Sequence, residues 1–234
     1  MNDSLGDRMK EYYEVRNQSY LIRRTPVIIR LDGKAFHTLT RKAEKPFDSK
    51  LKNAIVLSVC TLLNEIQGSK CAYLQSDEIS ILVTDFDKLD TQAWFDYNVQ
   101  KMCSISAAVM STAFSYYYGQ SAVFDSRVFN IPREEVCNYF IWRQKDWIRN
   151  SVQMLARANF SHKECFGKSI PELHELLYTK DINWAKLEAV WKNGTFITKV
   201  PHITGEVRPK KFDEKPFPIF TENREVIENL IQEI

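Results

Sequence analysis

The sequence predicts an α+β fold, and three observations carry that prediction. Apolar, β-branched runs end abruptly in breakers, as Pro26-Val-Ile-Ile-Arg-Leu31 does at Asp32-Gly33. Longer segments with apolar residues at helical spacing alternate with those runs. Hydrophobic residues make up 44% and aromatics 12% of 234 residues, enough for a packed core, whereas a disordered chain is poor in aromatics and highly charged.

The first strand is Pro26 to Leu31. A helix follows, capped by Asp48, with Leu51, Ala54, Ile55, Leu62, Leu63 and Ile66 at helical spacing until Gly68. Two short strands, Cys71 to Gln75 and Ile79 to Val83, flank Ser76-Asp77-Glu78, the pattern of a tight hairpin. A second helix is predicted from about Thr91 to Tyr118, capped by Asp90 or Thr91 and ended by Gly119. Val123 to Phe129 is the fourth strand, and Asn130-Ile-Pro132 opens a third helix reaching about Ala158. This is the split βαβ, ferredoxin-like order, βαββαβ. In it the third strand lies between the first two and runs antiparallel to both, so Asp32 and Asp77 are expected to meet.

Residues 1–160 are read as the catalytic domain and 161–234 as a helical and loop extension packed on it as one unit. Ser169-Ile-Pro171 starts one helix there, and Asp181 another that stops at Gly194. After Thr195 to Val200, the Pro- and Lys-rich stretch from Pro201 to Pro218 reads as a loop, and Thr221 to Ile234 as a final short helix.

Composition narrows the function classes. A net charge of +2 neither demands nor excludes a nucleic acid, and solvated loops account for clusters such as Arg23-Arg24, Arg41-Lys42 and Arg208-Pro-Lys-Lys211. Five scattered cysteines without a CxxC pair, and an N-terminus lacking an apolar signal region, fit a cytoplasmic protein with reduced thiols. The charge-free stretch between Lys101 and Asp125 carries too many hydroxyls for lipid, so no membrane span is expected. His37, His162, His174 and His202 show no metal-ligand spacing, and no Walker loop, GxGxxG or HExxH occurs.

Two carboxylates on adjacent strand ends suit a pair of magnesium ions about 3.5–4 Å apart, one activating an attacking hydroxyl and one stabilising the leaving oxygen. Magnesium is held by one or two carboxylates plus substrate phosphates, so Asp32 and Asp77 suffice as acidic ligands, with Glu78 as a helper. Gly33, Lys34, Ala35, Phe36 and His37 would form the loop into which a triphosphate settles, its backbone N–H groups facing the phosphates. Taken singly, Asp-Gly and Ser-Asp-Glu are ordinary turns; it is the topology joining them that gives them weight.

The blocks Arg30-Leu-Asp-Gly-Lys-Ala-Phe-His37, Lys45-Pro-Phe-Asp48, Tyr73-Leu-Gln-Ser-Asp-Glu-Ile-Ser80, Phe124-Asp-Ser-Arg127 and Trp142-Arg-Gln-Lys-Asp146, with an echo at Trp191-Lys-Asn-Gly-Thr195, resemble the tRNA-histidine guanylyltransferase family. The resemblance implies a polymerase-palm-type domain that adds nucleotides in the 3′-to-5′ direction to the 5′ end of tRNA, with two Mg²⁺ ions and with ATP and GTP or other nucleoside triphosphates as substrates. It implies that Asp32, Asp77 and the Gly33 carbonyl hold the metals, and that Ser76 and the Asp32–His37 segment hold the triphosphate. Lys45, Lys101, Arg30, Arg127 and Arg143 match basic positions suited to triphosphate or the tRNA 5′ end. It further implies a homodimer or homotetramer.

After Trp-Arg-Gln-x-Asp the guanylyltransferases proper carry His-Ile-Asn-Asn-Leu-Tyr-Asn; this chain has Ile148-Arg-Asn-Ser-Val-Gln-Met154, and Asn150 alone survives. That departure points to the family's "like" branch, which resembles enzymes that repair 5′-truncated tRNAs by template-directed addition. The alternatives are a histidine-tRNA-specific guanylyltransferase, another palm-type transferase such as a cyclase, and a non-enzymatic RNA-binding module. The cyclase would want a Gly-Gly hairpin where Ser76-Asp77 stands, and the RNA module an aromatic third strand where Ile79-Ser-Ile-Leu-Val83 stands.

Overall fold

The computed structural model describes residues 4–201, 207–211 and 218–232. Its elements run α1 (Leu5–Met9), β1 (Val27–Gly33), α2 (Phe36–Leu39), α3 (Ser49–Glu65), β2 (Ser69–Gln75), β3 (Glu78–Val83), α4 (Val99–Tyr118), β4 (Phe124–Asn130), α5 (Arg133–Asn159), α6 (His162–Cys165), α7 (Ile170–Tyr178), α8 (Ala189–Asn193), β5 (Thr195–Pro201), β6 (Val207–Lys211) and α9 (Glu225–Glu228). One antiparallel sheet collects the strands in the order β4-β1-β3-β2-β5-β6.

The apolar run of β1 is explained by its place. It is flanked by β3 and β4 and covered on both faces, so Val27, Ile28, Ile29 and Leu31 are fully buried. Alternation along the strands sorts the core into two layers. Val27, Ile29, Leu31, Ala72, Leu74, Ile79, Ile81 and Val83 pack under α3 and α4, while Ile28, Cys71, Tyr73 and Leu82 pack with α5, Phe220 and α9. The lower half of α5 closes a third cluster with α7 through Val152, Leu155, Leu173 and Leu177.

Asp48 caps α3 as expected, accepting from the Leu51 N–H at 2.8 Å. The helix predicted from Thr91 instead begins at Val99, where the Asn98 side chain accepts from the Lys101 N–H. Phe95, Asp96 and Tyr97 adopt left-handed backbone, because Trp94 and Tyr97 are buried and Arg23 binds both Asp96 and the Thr91 carbonyl. Tertiary packing overrides helical spacing there. The charge-free stretch forms α4, and no helix among the described residues is long and apolar enough to cross a membrane.

The C-terminal third is less helical than predicted. Thr195–Pro201 pairs with the outer edge of β2, whose backbone groups would otherwise stand unpaired, and Val207–Lys211 pairs with β5. Pro209, inside the stretch read as a loop, is tolerated because β6 is an edge strand. The rest of that stretch, 202–206 with His202 and 212–217, lies outside the described residues, as do 233–234 at the end of the predicted final helix. That helix is short, Glu225–Glu228 with a 3₁₀ turn after it. The segment from Asp181 to Gly194 is split into a 3₁₀ turn, Trp184–Lys186, and α8. The indole of Trp184 donates to the Ser151 hydroxyl and Asn183 caps the 3₁₀ turn, which fixes a bend that a continuous helix could not make.

Candidate active site

The site begins with strand order. β1 and β3 are antiparallel neighbours with Leu31 opposite Ile79, so continuing that register brings Asp32 level with Glu78 and Gly33 level with Asp77. The β2–β3 turn needs only Ser76 and Asp77, with Ser76 in left-handed conformation. Asp32, Gly33, Ser76 and Asp77 thus border one cavity of about 480 Å³.

Gly33 is required by packing. A Cβ there would lie 2.2 Å from the Phe36 ring, which is wedged between Phe114 and Phe124 with centroids at 5.3 and 5.0 Å. Ala35, left-handed at φ 56°, turns the chain into α2, so that Ala35, Phe36 and His37 also line the cavity. The Lys34 side chain is exposed and does not line it, and its N–H, expected to face phosphate, is bonded to the Val123 carbonyl at 2.8 Å because β1 and β4 extend that far. Lys45 lines the cavity and donates to the Thr40 carbonyl.

Burial and neighbouring acids govern the electrostatics of the pair. Burial raises the Asp32 carboxyl above its ordinary range, and the nearby Glu78 and Asp125 raise it further against the pull of Arg30 and Arg127. Asp77 is pushed up to about 6, mainly by burial and then by Asp32 and Glu78, although its own backbone N–H and the Ser76 hydroxyl oppose the shift. Two carboxyl groups that resist ionisation in each other's company gain from a bound cation. Among the described residues no three His, Cys, Asp or Glu side chains gather into a protein-only metal cage. A pair of acids facing an open cavity leaves coordination positions for phosphate oxygens and water.

Part of the lining is aromatic. Phe47 and Trp191 stack at 5.0 Å and 10°, Trp147 stands 6.5 Å from Phe47, and the Lys52 ammonium sits over Trp191. Sequence reasoning names neither Phe47 nor Trp191 as a site residue, and for Trp147 it weighs facing substrate and packing about equally. The available signal was the Phe47 that directly precedes the α3 cap, which the fold turns into the cavity.

Several predicted residues lie elsewhere. Glu78 points toward α5, where its carboxylate accepts from Arg30 at 2.9 Å and, in a very short contact, from Arg143. Arg143 also binds Asp146, which in turn receives Asn150. Arg30 and Arg143, expected to meet phosphate, are therefore engaged inside the protein, with Arg143 3% exposed. Arg127 is exposed on β4 beside Asp125. Lys101 does not line the cavity: it sits in the first turn of α4, near Gln18 and Ser19, and it is the last turn of that helix that approaches Lys50 in α3. A 20-residue helix spans about 30 Å, which separates the two ends.

Comparison with known proteins identifies the family. The family model described as "Thg1: tRNAHis guanylyltransferase" matches residues 6–132. A bacterial tRNA(His) guanylyltransferase (Thg1)-like protein, solved in complex with ATP, is 40% identical with a TM-score of 0.90, over 98% of this chain and 99% of that one. Such a protein in complex with GTP is 39% identical with a TM-score of 0.86, over the same shares. The tRNA(His) guanylyltransferase of Schizosaccharomyces pombe is 25% identical over 77% of this chain and 76% of its own. The chain therefore belongs to the Thg1 family of tRNA guanylyltransferases, which are nucleotidyltransferases.

Proposed function

We propose that this chain adds nucleotides to the 5′ end of tRNA in the 3′-to-5′ direction, choosing each by pairing with the opposite strand of the acceptor stem, and so repairs 5′-truncated tRNAs. The observation that carries this reading is the meeting of Asp32 and Asp77, two acids from separate turns with raised carboxyl pKa values, on one cavity. The strand order β4-β1-β3-β2 supports a ferredoxin-like, palm-type catalytic unit. We assign that unit to residues 1–160, with 161–234 packed on it as an extension that completes the sheet.

In this mechanism Asp32, Asp77 and the Gly33 carbonyl would hold two magnesium ions. Bound there, magnesium lowers the pKa of the attacking hydroxyl and neutralises charge developing on phosphate. Ser76, Gly33 and the segment from Ala35 to His37 line the cavity with the two acids, and we place the triphosphate there, with Lys45 in the same lining. Phe47, Trp147 and Trp191 offer the base an apolar wall. A 5′-monophosphate end is first joined to AMP from ATP, releasing pyrophosphate; a 5′-triphosphate end needs no activation. The 3′-hydroxyl of the incoming nucleotide then attacks the 5′ phosphorus. A new 3′–5′ phosphodiester forms as the bond to AMP or pyrophosphate breaks, and the hydroxyl proton leaves to solvent. Glu78 acts from behind, as a positioning residue held by Arg30 and Arg143. The enzyme works in the cytoplasm as a homodimer or homotetramer.

The test is to incubate the protein with Mg²⁺, nucleoside triphosphates and a tRNA lacking its first 5′ nucleotide, offering matched and mismatched nucleotides in turn. Preferential addition of the matched nucleotide is expected. Equal use of all four would end the templated reading, and addition restricted to guanosine on histidine tRNA would replace it with the histidine-specific one.

A further inference from the structure

Ser76 and Asp77 border more than one cavity. Behind the turn, on the α5 side, lies a second of about 250 Å³, lined by Gln75, Glu78, Trp147, Asn150, Gln153, Met154 and Arg157 as well as by the turn itself, the Glu78 carboxylate being held by Arg30 and Arg143. Gln153 and Arg157 also border a third, of about 220 Å³, which His162 and Lys168 close beyond α6. Asn150, Gln153 and Arg157 follow one another at spacings of three and four, so they share one face of α5. The two smaller cavities make one polar groove, leading from the acidic turn down the end of α5.

We propose that this groove holds the 5′-terminal sugar-phosphate strand of the RNA being extended, with Arg157 neutralising phosphate where the two cavities join. The assignment rests on reading the larger cavity as the nucleoside triphosphate site.

Three observations support it. Joining a nucleotide to a 5′ end brings two phosphate-bearing substrates to the same acids, and Asp77 is reached from the large cavity on one side and the groove on the other. The neighbouring arginines of α5 are already engaged, Arg143 with Glu78 and Asp146 and Arg149 with Asp146. Arg157 is exposed and has no carboxylate partner among the described residues, so its charge is available to a ligand. Finally, Gln75 Oε1 and Trp147 Nε1, in residues 4% and 5% exposed that both border the groove, have no hydrogen-bond partner among the described residues. A ribose hydroxyl, both donor and acceptor, would satisfy either atom after a small side-chain rotation. A groove running over two turns of helix exceeds what one terminal phosphate needs.

The experiment uses Arg157→Glu, with Arg157→Lys as the charge-retaining control. It measures direct binding of a 5′-truncated tRNA across a salt series, and ATP binding to the same proteins. Arg157→Glu is expected to weaken RNA binding by roughly tenfold or more and to lower the salt slope by about one, with ATP affinity unchanged and Arg157→Lys near the parent. Unchanged RNA affinity and slope would overturn the proposal. An equal loss of ATP binding would overturn it too, by putting a nucleotide's phosphates in the groove instead of the strand's. A parent protein that binds no ATP would undermine the triphosphate site itself, a failure separate from that of the groove.

Discussion

Under α3 and α4 the strands β1 and β3 offer aliphatic side chains, Val27, Ile29, Leu31, Ile79, Ile81 and Val83, whereas under α5 the sheet offers Arg30, Gln75, Glu78 and Ser80 among Ile28, Tyr73 and Leu82. Those aliphatic side chains hold β1 and β3 by shape. The α5 face ties particular atoms together: Glu78 to Arg30 and Arg143, Gln75 to Glu78 and Asp146, Ser80 to Tyr139. Glu78 and Asp77 are adjacent in sequence, yet one is drawn to α5 while the other lines the cavity. The charged face thus supports the acidic turn from behind.

The largest effect should come from the turn itself. Asp77→Asn is expected to abolish transfer, by at least roughly 10³-fold, the upper range for removing one transition-state contact. In chelator the same change should stabilise the fold. The Asp77 pKa is raised from 3.8 to about 6, so the native state prefers the neutral acid; stability is full below about pH 4 and falls as pH rises through 6. Denaturant melts at pH 7–8 should favour Asp77→Asn by about 2 kcal/mol, allowing for partial exposure, with no difference at pH 4. A transfer rate close to that of the parent would break the comparison at its centre.

Glu78→Gln leaves the buried Arg143 facing a neutral amide, and about 2–4 kcal/mol should be lost in urea unfolding. Turnover should fall by roughly 10–100-fold, in the manner of a group that orients a metal ligand. Gly33→Ala pushes a methyl into a ring that cannot move, at about 1–3 kcal/mol, and should show as a lowered urea midpoint. The smallest change belongs to the aliphatic face: Ile81→Val should cost about 1 kcal/mol and leave the rate constant alone. A fall in turnover for Ile81→Val matching that of Glu78→Gln would erase the distinction between the faces.

Much of the first 160 residues was legible because each element carries its own punctuation. Asp32-Gly33 ends β1, Asp48 caps α3, Ser76-Asp77 turns the hairpin and Gly119 stops α4. What could not be read is what depends on distant partners. The start of α4 is displaced by a left-handed turn that Arg23 holds from 73 residues away. Thr195-Phe-Ile-Thr-Lys-Val200 is β-branched and aromatic, as a strand should be, but nothing local names the open edge of β2 as its partner or marks the Pro-containing 207–211 as β6. The same limit governed the site. A sequence presents Arg30, Arg143 and Arg157 as equivalent cations, and only packing reveals that the first two are already bound to Glu78.

Gln144 lies buried in the middle of α5 and binds three points of the far chain: its amide nitrogen donates to the carbonyls of Asn193 and Pro218, and its oxygen accepts from the Phe220 N–H. Phe220 in turn fills the space between Tyr73, Phe140 and Phe196. The aromatic wall at Trp191 is thereby anchored by residues that never touch the cavity. A protein trimmed before Pro218 would keep every cavity-lining side chain and still be expected to let that wall drift.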